Sequence, residues 1–208
     1  MSDIASAAPT SIRRLESNED ARRLACLVSA YDELQTVLRC CERLMTMLGE
    51  GVGTPDDVGV EALWTLALLS YARAFATGDG GPALSEADMD AGSDKGVQVE
   101  TSEVLRWHRV LLHLRDQQAD PRTNPRESYT VGVAQDPSGA ANAVAVTSVR
   151  APLVDKAAVR QAGAIAFPLC AVLDERIDPL QKQILAAVRG IAPGQLNRMD
   201  LVEVAAER

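Results

Sequence analysis

The sequence predicts a mostly α-helical protein, a bundle of long antiparallel helices with one β-hairpin inserted before the C-terminal helix. Three observations predict this class. Hydrophobic residues make up 47% of the chain and aromatic residues only 3%, a composition typical of aliphatic helix packing. Apolar residues recur at helical spacing over long segments. Segments 128–134 and 142–149 instead alternate along the chain, which is the pattern of strands.

Length and composition predict one domain, residues 18–192, between a flexible tail at 1–17 and a C-terminal tail at 193–208. The formal charge of −8 and the pI of about 4.8 give a surface that repels a phosphate backbone, which disfavours general nucleic-acid binding. No apolar run reaches the roughly 20 residues that cross a bilayer, and residues 1–11 lack the features of a secretory signal. We therefore expect a cytoplasmic protein that does not bind membranes.

The cysteines predict neither a metal site nor disulfides. All four lie within helical patterns and lack metal-ligand spacing: Cys26, Cys40, Cys41 and Cys170. We expect reduced thiols, with no metal and no cofactor.

The first helix is predicted from about Asn18 to Leu48. Its apolar residues are spaced alternately by three and four positions: Leu24, Leu27, Tyr31, Leu34, Leu38, Cys41, Met45 and Leu48. Such spacing predicts an apolar seam that packs against a partner helix, either in the same chain or across a dimer. The candidate dimer interface is its first part: Leu24, Leu27, Tyr31, Leu34 and Leu38.

A second helix is predicted from Thr54-Pro55 to about Thr77. Residues 78–100 follow, with six acidic residues, one lysine and five glycines, and are expected to form a solvated acidic loop. The third helix covers about 102–119, and the hairpin covers 128–149. Because two strands alone are marginally stable, one hairpin face is expected to pack on the helices. A terminal helix starts at Asp155, with a kink at Pro168 and a second helix start at Asp178-Pro179.

On a helical wheel, the third helix directs His108 and Arg115 toward its apolar side, whereas Arg106, Arg109 and His113 lie on the opposite face. The simplest interpretation of His108 is a hydrogen-bonded histidine packed among aliphatic side chains. Arg115 needs a partner, and Asp116, about 100° away on the wheel, is not expected to supply it.

The stretch LRDQQADPRTNPRE at 114–127 resembles a motif of the HEPN superfamily of helical domains. It is most similar to small bacterial and phage HEPN-like proteins with a pattern of the form RDKHIAHSVNPFE. Arg115-Asp116, Asn124-Pro125 and Glu127 match that pattern, and YARAF at 71–75 resembles an upstream Y-x-R-x-F segment. The similarity spans roughly residues 20–190.

One departure bears on function. HEPN ribonucleases use the motif histidine with the arginine, usually across a dimer, but this chain has Pro121 in the histidine's place. The resemblance therefore implies a non-catalytic, phage- or defence-related HEPN-like protein that forms a homodimer or binds a protein partner. Its motif residues would anchor the loop between helix and hairpin: Arg115, Asp116, Asn124 and Glu127. The alternative is a metal-independent ribonuclease that acts on RNA with Arg115 and His108 in a dimer cleft.

Overall fold

The computed structural model describes residues 11–15, 18–49, 57–89 and 101–202. The helices are α1 (Glu19–Met47), α2 (Asp57–Ala74), α3 (Thr101–Ala119), α4 (Lys156–Arg189) and the short α5 (Pro193–Leu196). A small hairpin, β1 (Thr77–Gly78) and β2 (Gly81–Pro82), follows α2, and a long hairpin, β3 (Glu127–Gln135) and β4 (Ala141–Arg150), joins α3 to α4. The mostly α fold with a hairpin ahead of the long terminal helix is confirmed.

Helix α1 is the centre of the core and packs against both α2 and α4. Asn18 caps it, because its side-chain oxygen accepts a hydrogen bond from the Ala21 amide at 3.2 Å. Its buried face repeats every three and four residues: Leu27, Ala30, Leu34, Val37, Cys41 and Leu44. The seam therefore closes within one chain.

This packing corrects the predicted dimer interface on α1. Leu27 and Leu34 are only 2% and 0% exposed within a single chain, so neither is free to contact another copy. Leu24, Tyr31 and Leu38 are half-buried at the edge of the same face.

Helix α2 continues the core through one buried face: Val60, Trp64, Ala67, Leu68 and Tyr71. The predicted helix start at Thr54-Pro55 lies outside the described residues. The first part of the predicted acidic loop, residues 78–89, is more ordered than its composition suggests. Ala83, Leu84 and Met89 are buried in the core, and Asp88 bonds to α4. Residues 90–100 lie outside the described ranges.

Helix α4 is continuous and contains both Pro168 and Pro179, so the predicted helix start at Asp178-Pro179 is wrong. Asp155 caps it by accepting the Ala158 amide at 2.8 Å. By length and composition alone the helix could span a membrane, but 44% of its apolar window is buried within the protein. That burial is largely contact with α1.

The two predicted tails meet each other where they are described. The Arg14 amide donates to the Asp200 carbonyl, and the Val202 amide donates to the Ile12 carbonyl, each at 2.9 Å. The guanidinium of Arg13 also reaches the Met199 carbonyl at 2.8 Å. These parts of residues 1–17 and 193–208 therefore pair with each other beside the bundle.

Candidate functional site

His108 lies in the core, at the contact between α2 and α3. It is 2% exposed, and its Nδ1 lies 2.8 Å from the Tyr71 hydroxyl. The Phe75 ring lies 4.6 Å from the His108 ring, centroid to centroid. The histidine is hydrogen-bonded, as predicted, but its closest neighbours are aromatic rings supplied by the YARAF segment.

The electrostatics of this pair fix which group donates. Burial lowers the pKa of His108, while the nearby Glu86 carboxylate partly opposes this and Arg109 reinforces it. Burial also raises the pKa of Tyr71. The phenol therefore stays protonated and donates to Nδ1 of a neutral imidazole, which leaves the ring proton on Nε2. These are the properties of a structural histidine.

Arg115 is half-exposed rather than buried, and it has a charged neighbour that the helical wheel did not predict. Its Nε lies 2.9 Å from Oδ1 of Asp116. The Nε–H does not point at that oxygen, and the buried Nε has no hydrogen-bond acceptor among the described residues. The contact is a charge pair, so the expectation that Asp116 would not be the partner was wrong.

The structure does not bring Arg115 and His108 together. Seven residues of helix separate them by roughly 10 Å along the axis, and the imidazole faces Tyr71 inside the core. The arrangement gives no support to a catalytic pair within one chain.

The motif loop is held by its own short-range hydrogen bonds. Asp120 accepts the Arg122 amide at 3.0 Å, and Asn124 accepts the Arg126 amide at 3.0 Å. Glu127 starts β3 and accepts the Tyr129 hydroxyl at 2.6 Å. Asn124 thus supports the loop, whereas the hydrogen bond of Glu127 lies within the hairpin. The side chains of Arg115 and Asp116 pair with each other, and the Asp116 carbonyl accepts the Asp120 amide at 3.0 Å.

The long hairpin is closed by a turn that the sequence QDPSGAA encodes. Asp136 Oδ1 accepts the amides of Ser138 and Ala140 at 2.8 and 3.1 Å. Gly139 has φ +88°, a conformation that a side chain disfavours. Cross-strand partners Val131–Val146 and Val133–Val144 then lie directly opposite each other.

Directly opposed residues share a face, so one side of this hairpin is almost entirely apolar. We call the apolar part of this side the valine face; it consists of Tyr129, Val131, Val133, Val144 and Val146, and Ser148 lies opposite Tyr129. Each of these residues is between 61% and 72% exposed. The other face carries mainly small residues: Ser128, Thr130, Gly132, Ala134, Ala143, Ala145, Thr147 and Val149. The expectation that one hairpin face packs on the helices is therefore wrong.

Among the described residues, only the root of the hairpin is tied to the bundle. Arg126 pairs with Glu61 at 2.9 Å, and Arg150 pairs with Asp57 at 3.3 Å. Asp57 and Glu61 are four residues apart, so they lie on one side of α2. The Ala151 amide donates to the Arg126 carbonyl at 2.8 Å and closes the base. The two ion pairs join both sides of the hairpin root to α2.

A cleft of about 560 Å³ lies beside this root. Its lining includes apolar groups from three elements, Val60 and Trp64 of α2, Leu114 of α3 and Leu153 before α4, with polar groups such as Asn124 and Arg126. A cleft of this size and composition can accept one or two side chains of a bound chain.

The cysteines and acidic residues supply no further site in the described ranges. All four thiols are free, and burial raises the pKa of Cys41 to about 12. No group of three or more His, Cys, Asp or Glu residues that could hold a metal occurs within residues 11–15, 18–49, 57–89 and 101–202. The exposed hairpin is the strongest candidate. Its alternation predicted the strands, but no sequence signal predicted that the apolar face stays uncovered.

Comparison with known proteins does not place the chain in a family. No family model, no curated protein and no solved structure matches it. The similarity to HEPN domains therefore rests on the motif residues alone and stays a prediction.

Proposed function

We propose that this protein is a non-catalytic interaction protein of HEPN-like type, and that its long hairpin is the surface that binds another protein chain. The observation that carries the proposal is the exposure of the whole valine face. Both strands are exposed on both sides along almost their entire length, and only the root makes ion pairs with α2.

An isolated two-stranded sheet is at best marginally stable in water and normally needs a second layer. Soluble proteins also protect long exposed strands with charged residues or proline, because such strands associate readily. Residues 128–149 contain a single charged residue, Asp136, and it lies in the turn. A surface built in this way is suited to being covered by a partner.

The non-catalytic part of the proposal rests on two positions. Pro121 stands where the HEPN motif has histidine, and proline offers no titratable group. The available histidine on the same side of α3, His108, is buried and occupied by Tyr71. A general acid or base must reach the proton that it transfers, and this imidazole faces the core.

The first test removes the hairpin. Glu127 and Arg150 are directly paired, so replacing residues 128–149 by Asn-Gly closes the root with a two-residue turn. We expect the shortened chain to keep its helical circular dichroism and its midpoint of thermal unfolding within a few degrees. Unfolding of the shortened chain would show that the hairpin is part of the core and would refute the proposal.

The second test measures binding. A photo-crosslinking residue is placed at position 129 on the valine face, or at position 31, half-buried on α1, as the control. We expect adducts with a protein chain from position 129 and none from position 31. If position 129 forms no adduct with any protein in the cells that make it, the proposed function is wrong.

A further inference from the structure

We propose that the occupant of the valine face is the valine face of a second copy of this chain, with the two hairpins packed face to face and antiparallel. This inference rests on the proposed function, since it names the partner of the same surface. It differs from a dimer formed through α1, whose apolar face is already used within one chain. Three properties of the hairpin support it.

The first property is charge. The chain carries a net charge of −8, so two copies repel each other through most of their surface. The five residues of the valine face carry no charge, and the charged residues on the same side, Glu127 and Arg150, are directly opposite each other at the root. It is therefore a surface through which two copies can touch without bringing like charges together. An identical apolar face also matches itself in polarity, which is what a two-fold symmetric interface requires.

The second property is area. The exposed parts of Tyr129 and the four valines amount to roughly 500 Å² per copy, which is large for an apolar patch on a monomer. Packing two such faces together buries about 1,000 Å², close to the lower limit for a specific protein interface. The expected dimer is therefore weak enough to dissociate on dilution.

The third property is shape. Strands of nine and ten residues give a hairpin roughly 30 Å long that leaves the bundle from its root. Antiparallel packing places the two acidic bundles at opposite ends, separated by more than the screening distance of about 8 Å. It also gives each two-stranded sheet the second layer that it lacks in one chain, at the usual spacing of about 10 Å.

This arrangement predicts contacts that a single chain cannot make. Tyr129 lies near the root, whereas Val133 and Val144 lie near the tip, about 13 Å away along the strands. In the antiparallel dimer the Tyr129 ring of one copy packs on Val133 and Val144 of the other. The central pair, Val131 and Val146, meets its own counterpart near the two-fold axis.

The decisive experiment is sedimentation equilibrium of the full chain over a range of concentrations. We expect a reversible dimer, and Val131→Thr/Val146→Thr should weaken it at least tenfold, because the added hydroxyls must be desolvated. Threonine preserves the shape and the β-branching of valine, so the hairpin itself should persist. Val149→Thr is the control, since it makes one Val-to-Thr change on the opposite face, where Val149 is 70% exposed.

A wild-type chain that stays monomeric at its highest attainable concentration would overturn the inference. The inference would also be overturned if the valine-face variant and the Val149 variant had the same dimer dissociation constant. If position 129 then crosslinks to a different protein, the proposed function survives and only the identity of the partner is wrong.

A second measurement does not depend on any variant. Isotope-filtered nuclear Overhauser spectra of a mixed labelled and unlabelled sample should show contacts from the Tyr129 ring to Val133 and Val144 methyls. If the valine-face substitutions weaken the dimer but these intermolecular contacts are absent, the antiparallel arrangement is wrong.

Discussion

The Tyr71 hydroxyl donates a hydrogen bond of 2.8 Å to Nδ1 of His108 and so joins α2 to α3 inside the core. The two residues are 37 positions apart in sequence, and both are almost completely buried. Phe75 completes a cluster of three rings around the bond. This polar contact within an apolar core leads to two predictions.

Tyr71→Phe should destabilise the fold by about 1–3 kcal/mol, because it leaves the Nδ1 lone pair of His108 buried without a donor. The change removes one oxygen and no other atom, so packing is preserved. Urea unfolding followed by circular dichroism measures the difference. Tyr31→Phe on α1 is the matched control, since the Tyr31 hydroxyl has no hydrogen bond among the described residues; an equal loss there would contradict the assignment.

The lowered pKa of His108 predicts a loss of stability on mild acidification. Above the unfolded-state value of about 6.5, both states hold the imidazole neutral, and stability does not depend on this group. As the pH falls below that value, His108 binds a proton in the unfolded chain, whereas the buried imidazole of the folded chain stays neutral. The free energy of unfolding should therefore fall between about pH 6.5 and the lower folded-state pKa of His108.

Denaturant unfolding at a series of pH values tests this expectation. His108→Gln should abolish the decrease in the free energy of unfolding below about pH 6.5. His113→Gln, on the exposed side of α3, should retain that decrease. If the free energy of unfolding depends on pH equally in both variants, His108 is not the group responsible.

Asp88 and Arg176 provide a second pH-dependent contact, between the segment after α2 and helix α4. Burial raises the pKa of Asp88, but hydrogen bonds from Arg176 and Ser85 outweigh it, and the net effect lowers the pKa. The stabilisation is thus present above the unfolded-state value of about 3.9 and is lost as the pH falls through the folded-state pKa. Asp88→Asn should cost about 1–3 kcal/mol at pH 7.

The same variant should differ less from the wild type below about pH 3.9, because the unfolded wild-type chain then binds a proton at Asp88 and the stabilisation falls. Asp79→Asn is the control, because Asp79 is an exposed acid of the same predicted loop and forms no ion pair among the described residues. A difference between wild type and Asp88→Asn that is constant across this range would contradict the ion pair.

A single sequence encodes local periodicity but not the partner that covers an apolar face. Spacing of three and four predicted α1 and part of its buried side, because helical periodicity is a local property. Leu27, Leu34 and Cys41 are buried as expected, but so are Ala30, Val37 and Leu44, which lie outside the predicted seam. It did not show that Leu27 and Leu34 are used within one chain, since a seam fits an internal and an external partner equally well. Alternation likewise predicted the hairpin, but not what covers Val131 and Val146.

Contacts between distant segments could not be predicted either, because the partner of each residue lies on another element. The wheel directed His108 inward, yet its partner Tyr71 lies on another helix, and nothing local to α3 identifies it. The acidic composition of residues 78–100 predicted a solvated loop, but its apolar residues Leu84 and Met89 are only 2% exposed. Arg115 and Asp116 are neighbours in sequence, but their pairing depends on side-chain conformations that a wheel does not represent.

Gly80, in the turn between β1 and β2, should tolerate no side chain. A Cβ there would lie 2.7 Å from the Arg22 carbonyl oxygen and 2.9 Å from the Arg23 Cα, both backbone atoms of α1. The Gly80 amide also donates to Cys26 Sγ at 3.3 Å, so the turn cannot move away without losing that bond. Gly80→Ala should therefore destabilise the fold by about 1–3 kcal/mol through overpacking. Gly132→Ala in β3 meets nothing within 4 Å and should leave the urea midpoint of the bundle unchanged. Equal midpoints for the two variants would show that the turn does not rest on α1.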